Sequence, residues 1–164
     1  MYQEKEEGLF KKYYAAHPDE VLKRSTFLAK EVPLYSAAKL LQRDIYKRDE
    51  LGSQKIGLKS IGRIDLVFKY KGKIWVGEVK YYPFDNSEFW DALKCIGYSS
   101  YLNWQSLYNP DYEKTVPAVL IPKSKIKLEH QIVAGQLKVG LFGIERFNEG
   151  STPFYRLSMI VNPY

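Results

Sequence analysis

The stretch Gly62 to Lys80, GRIDLVFKYKGKIWVGEVK, decides how the rest of this chain reads. Its first half, Arg63 to Phe68, and its second, Ile74 to Lys80, alternate around β-branched and aliphatic residues, the pattern of two strands. Between them Lys71-Gly72 supplies a two-residue turn, with glycine where a tight hairpin needs positive φ. Residues equidistant from that turn face each other across the ladder, which puts Asp65 opposite Glu78. Lys80, two residues on, projects from the same sheet face as Glu78.

Two carboxylates directly opposed in a sheet repel unless something positive sits between them. A divalent cation would satisfy them. All-oxygen ligation favours Mg²⁺ or Mn²⁺ over zinc, and the backbone carbonyl of Val79 could add a further oxygen. Lys80 beside such a site would hold or polarise a water while the cation offsets charge developing on a phosphate. The plainer alternative is that the three residues decorate a solvated face. Against it, Ile74 and Val76 share that face with Glu78, and the other face of both strands is also apolar, so charges there need a reason.

The pattern Gly-Arg-Ile-Asp-Leu-Val, followed by Val-Gly-Glu-Val-Lys, resembles the core of the PD-(D/E)XK nuclease superfamily. That resemblance implies a restriction-endonuclease-like fold, a central mixed β-sheet flanked by α-helices. It also implies metal binding by Asp65 and Glu78 and assistance to the attacking water by Lys80. In many members an acid on the first core helix completes the metal site, and Glu31 is the candidate here, although Pro33 follows it closely.

The chain of 164 residues has the size of one ordinary domain, and its 45% hydrophobic and 15% aromatic content suits a packed core. A net charge of +6 fits a polyanionic partner. The single cysteine, Cys95, excludes an internal disulfide framework and a four-cysteine cluster, and its expected role is packing. His17 and His130 lie far apart in sequence, which argues against a histidine-based triad or zinc site. With no long apolar run and a charged start, Met1 to Glu7, the expectation is a soluble, cytoplasmic protein.

Helix formers fill residues 3–16 and 18–30, and a third helix is predicted from Ser36 to about Lys47. A loop then enters a strand near Ile56 to Ile61. Lys47, Arg48, Lys55, Lys59 and Arg63 cluster before the proposed site, where Lys55, Lys59 and Arg63 would hold a phosphate backbone. After Lys80 comes a break whose Asp85, Asn86 and Ser87 could cap a long helix, Glu88 to about Trp104. On that helix Lys94 and Tyr98 fall where RecB-like members of the superfamily carry a Gln and a Tyr, which implies an auxiliary role for both. A strand from Thr115 to Ile121, a helix near Lys125 to Gln136, and strands Lys138 to Ile144 and Phe154 to Val161 complete the chain, the last at an edge. Gly140 and Gly143 mark close packing within a strand.

One domain is expected, with residues 1–31 as an N-terminal helical extension, 32–147 as the core and 148–164 as an edge strand. The expected activity is that of an Mg²⁺-dependent deoxyribonuclease, with Mn²⁺ able to substitute. A structure-specific endonuclease resembling small junction resolvases, working as a homodimer on DNA, comes first. A RecB-like or Cas4-like exonuclease without an iron–sulfur cluster, or an idle nucleic-acid-binding module on the same scaffold, are the alternatives. A protein-interaction domain with its 14 tyrosines as a partner surface is a third.

Overall fold

The computed structural model describes residues 2–34, 62–81, 84–105 and 113–164. The predicted helix Ser36 to Lys47, the predicted strand Ile56 to Ile61, and the cations Lys47, Arg48, Lys55 and Lys59 lie outside the described residues. The fold is α/β, a six-stranded mixed sheet flanked by helices. Strands β1 (Thr26–Pro33), β2 (Arg63–Tyr70), β3 (Lys73–Val79), β4 (Thr115–Pro122), β5 (Gly140–Glu149) and β6 (Thr152–Val161) lie side by side in chain order. β1, β2 and β3 run antiparallel in sequence, β3, β4 and β5 are parallel, and β6 returns antiparallel as an edge.

The β2–β3 hairpin forms in the register the turn dictates, with Leu66 opposite Gly77, Phe68 opposite Trp75 and Tyr70 opposite Lys73. Lys71 and Gly72 both take positive φ, +51° and +72°, as a two-residue hairpin requires. Parallel β3 and β4 need a crossover, and α3 (Asn86–Ala92) with α4 (Cys95–Gln105) provides it; α5 (Leu128–Leu137) does the same between β4 and β5.

The sheet is covered on both faces. On one, Phe10 and Tyr14 of α1 (Tyr2–Ala16) pack on Leu66, Phe68, Trp75, Val79, Leu120 and Phe142. On the other, Ile74 and Val76 meet Leu102 of α4, while Val119, Ile121 and Leu141 meet Phe89, Ala92 and Cys95. Burying each large apolar side chain contributes roughly 1.5–3 kcal/mol, so both layers are needed to hold β3. Gly140 and Gly143 act by absence: a Cβ on the first would run into the Trp75 ring, and on the second into the Lys123 stem.

Two predicted helices change form. Residues 18–30 make only one helical turn, α2 (Pro18–Val21), before β1 begins at Thr26. Arg24 takes φ +65°, its amide donates to Asp19 Oδ1 at 2.8 Å, and Ser25 ties back to Tyr14 at 2.7 Å, so local hydrogen bonds stop the helix against α1. The helix over 88–104 is broken at Leu93-Lys94, where amides bond three residues back instead of four and separate α3 from α4. Its start is capped as expected, with Asp85 accepting from the Glu88 amide.

Candidate functional site

The last ladder pair of the hairpin on its open side is Leu66–Gly77. One step beyond, Asp65 and Glu78 come level. There Asp65 Oδ2 accepts the Val79 amide at 2.9 Å, so the side chain takes over as the strands part. β3 itself continues against β4, the Lys80 amide donating to the Leu120 carbonyl at 2.9 Å.

Glu78 is 2% exposed, and its Oε1 is buried without a hydrogen-bond partner. Burial, then the negative charge of Asp65, pushes its pKa well above the carboxylate range, and the nearby Lys94 and Lys80 ammonium groups oppose this only in part. A buried acid with an orphan oxygen facing a second carboxylate is costly on its own. The pair fits a hard divalent ion, for which one or two carboxylates completed by water or substrate oxygens are ordinary ligation. Among the described residues no group of three or more His, Cys, Asp or Glu forms a metal cage.

The cations around this pair are not where the Glu-x-Lys spacing alone would put them. Lys80 leans to α3, 2.7 Å from Asp91 and 3.6 Å from Glu88. Burial lowers its pKa, and the Asp91 hydrogen bond with the charges of Asp91, Glu88 and Glu7 outweighs that and raises it. Lys94 Nζ stands 3.7 Å from Glu78 Oε2 and 3.7 Å from Asp91, placed there by the break between α3 and α4. Burial lowers the Lys94 pKa, but Glu78 and Asp91 raise it further. Tyr98, one turn along α4, is half-buried, its hydroxyl pKa raised by burial and then by Glu78. The Tyr98 ring lies against Gly62, where any Cβ would collide with it, which gives the glycine before Arg63 its reason. Cys95 is buried, and that burial pushes its thiol pKa up, in keeping with packing.

Glu31 is not on a helix. It lies on β1 with φ +51°, and its carboxylate meets Lys11 of α1 at 3.3 Å. The charge of Lys11, then its hydrogen bond, holds the Glu31 pKa below the usual range. The same Lys11 ammonium is 3.7 Å from Asp65 Oδ1, and its side chain is only 6% exposed. Lys11 was not legible as a site residue, but there is a signal for it: it follows Phe10 and precedes Tyr14 by three on the buried stripe of α1. Glu7 of α1, one turn before Lys11, also acts by its charge on Lys80, after Asp91 and Glu88 of α3. Of the predicted backbone-binding cations, Arg63 is described, exposed at the start of β2.

No family model, no curated protein and no solved structure matches this chain. Among the described residues, no helix is long and apolar enough to cross a membrane.

Proposed function

We propose that the chain is a divalent-metal-dependent nuclease of the PD-(D/E)XK type that hydrolyses DNA phosphodiester bonds, as a structure-specific endonuclease. The observation that carries this reading is a buried Glu78, whose Oε1 has no hydrogen-bond partner and which feels the charge of Asp65, at the open end of the hairpin where Asp65 accepts the Val79 amide. From the β2–β3 hairpin onward, the order helix, strand, helix, strand supports it as well.

Asp65 and Glu78 would hold Mg²⁺ or Mn²⁺, with the Val79 carbonyl in reach of the same strand end. When bound, the ion lowers the pKa of a coordinated water and offsets charge on the phosphate. Water would add its oxygen to phosphorus and give up a proton to solvent as the bond to the leaving oxygen breaks, and the leaving oxygen would take up a proton from solvent. Lys80 must leave Asp91 to steady the water, while Lys94 stands ready for the phosphate. Arg63 is an exposed cation at the start of β2, and the Tyr98 ring lies against Gly62 just before it.

One observation favours a second reading. Lys80 is already paired at 2.7 Å with Asp91, as it would be in a nucleic-acid-binding module that keeps the scaffold without the chemistry. Labelled duplex, single-stranded and four-way-junction DNAs, incubated with Mg²⁺, Mn²⁺ or EDTA, separate the two. Metal-dependent cutting that disappears in Asp65→Ala and Glu78→Ala, with circular dichroism unchanged, is the expected result. Salt-sensitive binding without cutting would move the assignment to the module.

A further inference from the structure

Lys11 is a buried lysine that the hydrolytic scheme does not use, and it carries the only ammonium found within 4 Å of Asp65 among the described residues. Helix α1 brings it there: Phe10 and Tyr14 anchor the helix in the sheet core, and the buried Lys11 side chain reaches Glu31 of β1 and Asp65 of β2. It lies 3.3 Å from Glu31 and 3.7 Å from Asp65. Asp65 Oδ2 accepts the Val79 amide, and Oδ1 is the oxygen that faces Lys11. Glu31 reaches Lys11 from a strand residue with φ +51°, a conformation that costs a non-glycine residue and persists only where surroundings hold it.

We propose that Lys11 is the built-in counter-ion of the metal site, competing with the divalent cation for Asp65, and that Glu31 is the seat that takes Lys11 when the cation binds. This rests on the metal-site reading above. Like charges cannot share one carboxylate oxygen without repulsion in a partly desolvated site. Lys11 therefore weakens metal binding, and Glu31 restores it by drawing the ammonium away. Glu31 is thus a positioning residue acting through Lys11 and not a ligand. Its carboxylate is 44% exposed and already held by two lysines, Lys11 and Lys30.

The two roles predict opposite signs, which calorimetric titration with Mn²⁺ reads without any substrate. Lys11→Met, which keeps the apolar stem, is expected to lower the Kd for Mn²⁺ by about tenfold. Glu31→Gln is expected to raise it, and to have no effect once Lys11→Met is present. Lys12→Met, an exposed neighbour on the same helix with the same change in net charge, should leave the Kd within about twofold. Lys11→Gln gives the same expectation should Lys11→Met fail to fold. An unchanged or weaker affinity in the neutral Lys11 variants overturns the proposal, as does a Glu31→Gln loss that is equal with and without Lys11, which would make Glu31 a ligand. If the wild type binds no Mn²⁺ but Lys11→Met does, the counter-ion role is upheld. If neither binds, the metal-site reading falls and this one with it.

Discussion

Glu78 is a residue whose chemistry is altered by its place in the fold. Its carboxyl is buried beside Asp65, and in the folded state it holds its proton far above its ordinary 4.5. For an acid with a raised folded-state pKa, the unfolded chain ionises first. The stability it contributes is full below the ordinary pKa and is lost as pH rises through the folded one. Thermal unfolding in EDTA should therefore show a midpoint that falls as pH climbs above 4.5, and Glu78→Gln should flatten the slope. A wild-type profile as flat as that of Glu78→Gln would mean the carboxyl is solvated. Gly62 provides a second residue-scale check. Because the Tyr98 ring occupies the space of a Cβ there, Gly62→Ala must move Tyr98 and lower stability, read by unfolding, and it should also lower the proposed metal-dependent cleavage in the DNA assay.

Among the elements, the β2–β3 hairpin was the most legible. Its turn residues, its alternation and its register all follow from local chemistry, and the structure repeats them pair by pair. Gly72→Ala should cost about 1 kcal/mol, since an alanine pays the left-handed penalty that glycine escapes. The crossover helices were less legible. Their hydrophobic spacing runs on through Leu93 and Lys94, and nothing local marks the break between α3 and α4. Holding α4 in place is a polar knot at the start of β4: Ser99 Oγ and Thr115 Oγ1 lie 2.8 Å apart, Asn103 donates to the Thr115 carbonyl at 2.8 Å, and the Thr115 amide donates back to Asn103. Asn103→Ala strands that buried amide, so urea unfolding should show a loss of about 1–3 kcal/mol. A loss below a few tenths would mean that water replaces the side chain.

At the scale of the whole molecule, the charge of +6 and the exposed Arg63 concern association more than folding. If DNA is the partner, affinity measured by fluorescence anisotropy should fall steeply as salt rises from about 50 to about 200 mM, through release of counterions from the phosphates. A salt-independent Kd would point away from a polyanion. Much of the architecture could be read from the chain: a mixed α/β sheet, an antiparallel hairpin carrying Asp65 and Glu78, a parallel crossover after it, and an edge strand at the end. These follow from periodicity and turn chemistry, which act between residues close in sequence. Tertiary structure alone decided the partners. It ended the helix predicted over 18–30 after one turn and put residues 26–30 into β1, with Asp19 holding the Arg24 amide and Tyr14 holding Ser25; it drew Lys80 to Asp91 and set Lys94 beside Glu78. It brought Lys11, 54 positions before Asp65, into the same cluster. An ammonium pairs with whichever carboxylate the packed helices bring within reach, and spacing along the chain carries no record of that distance.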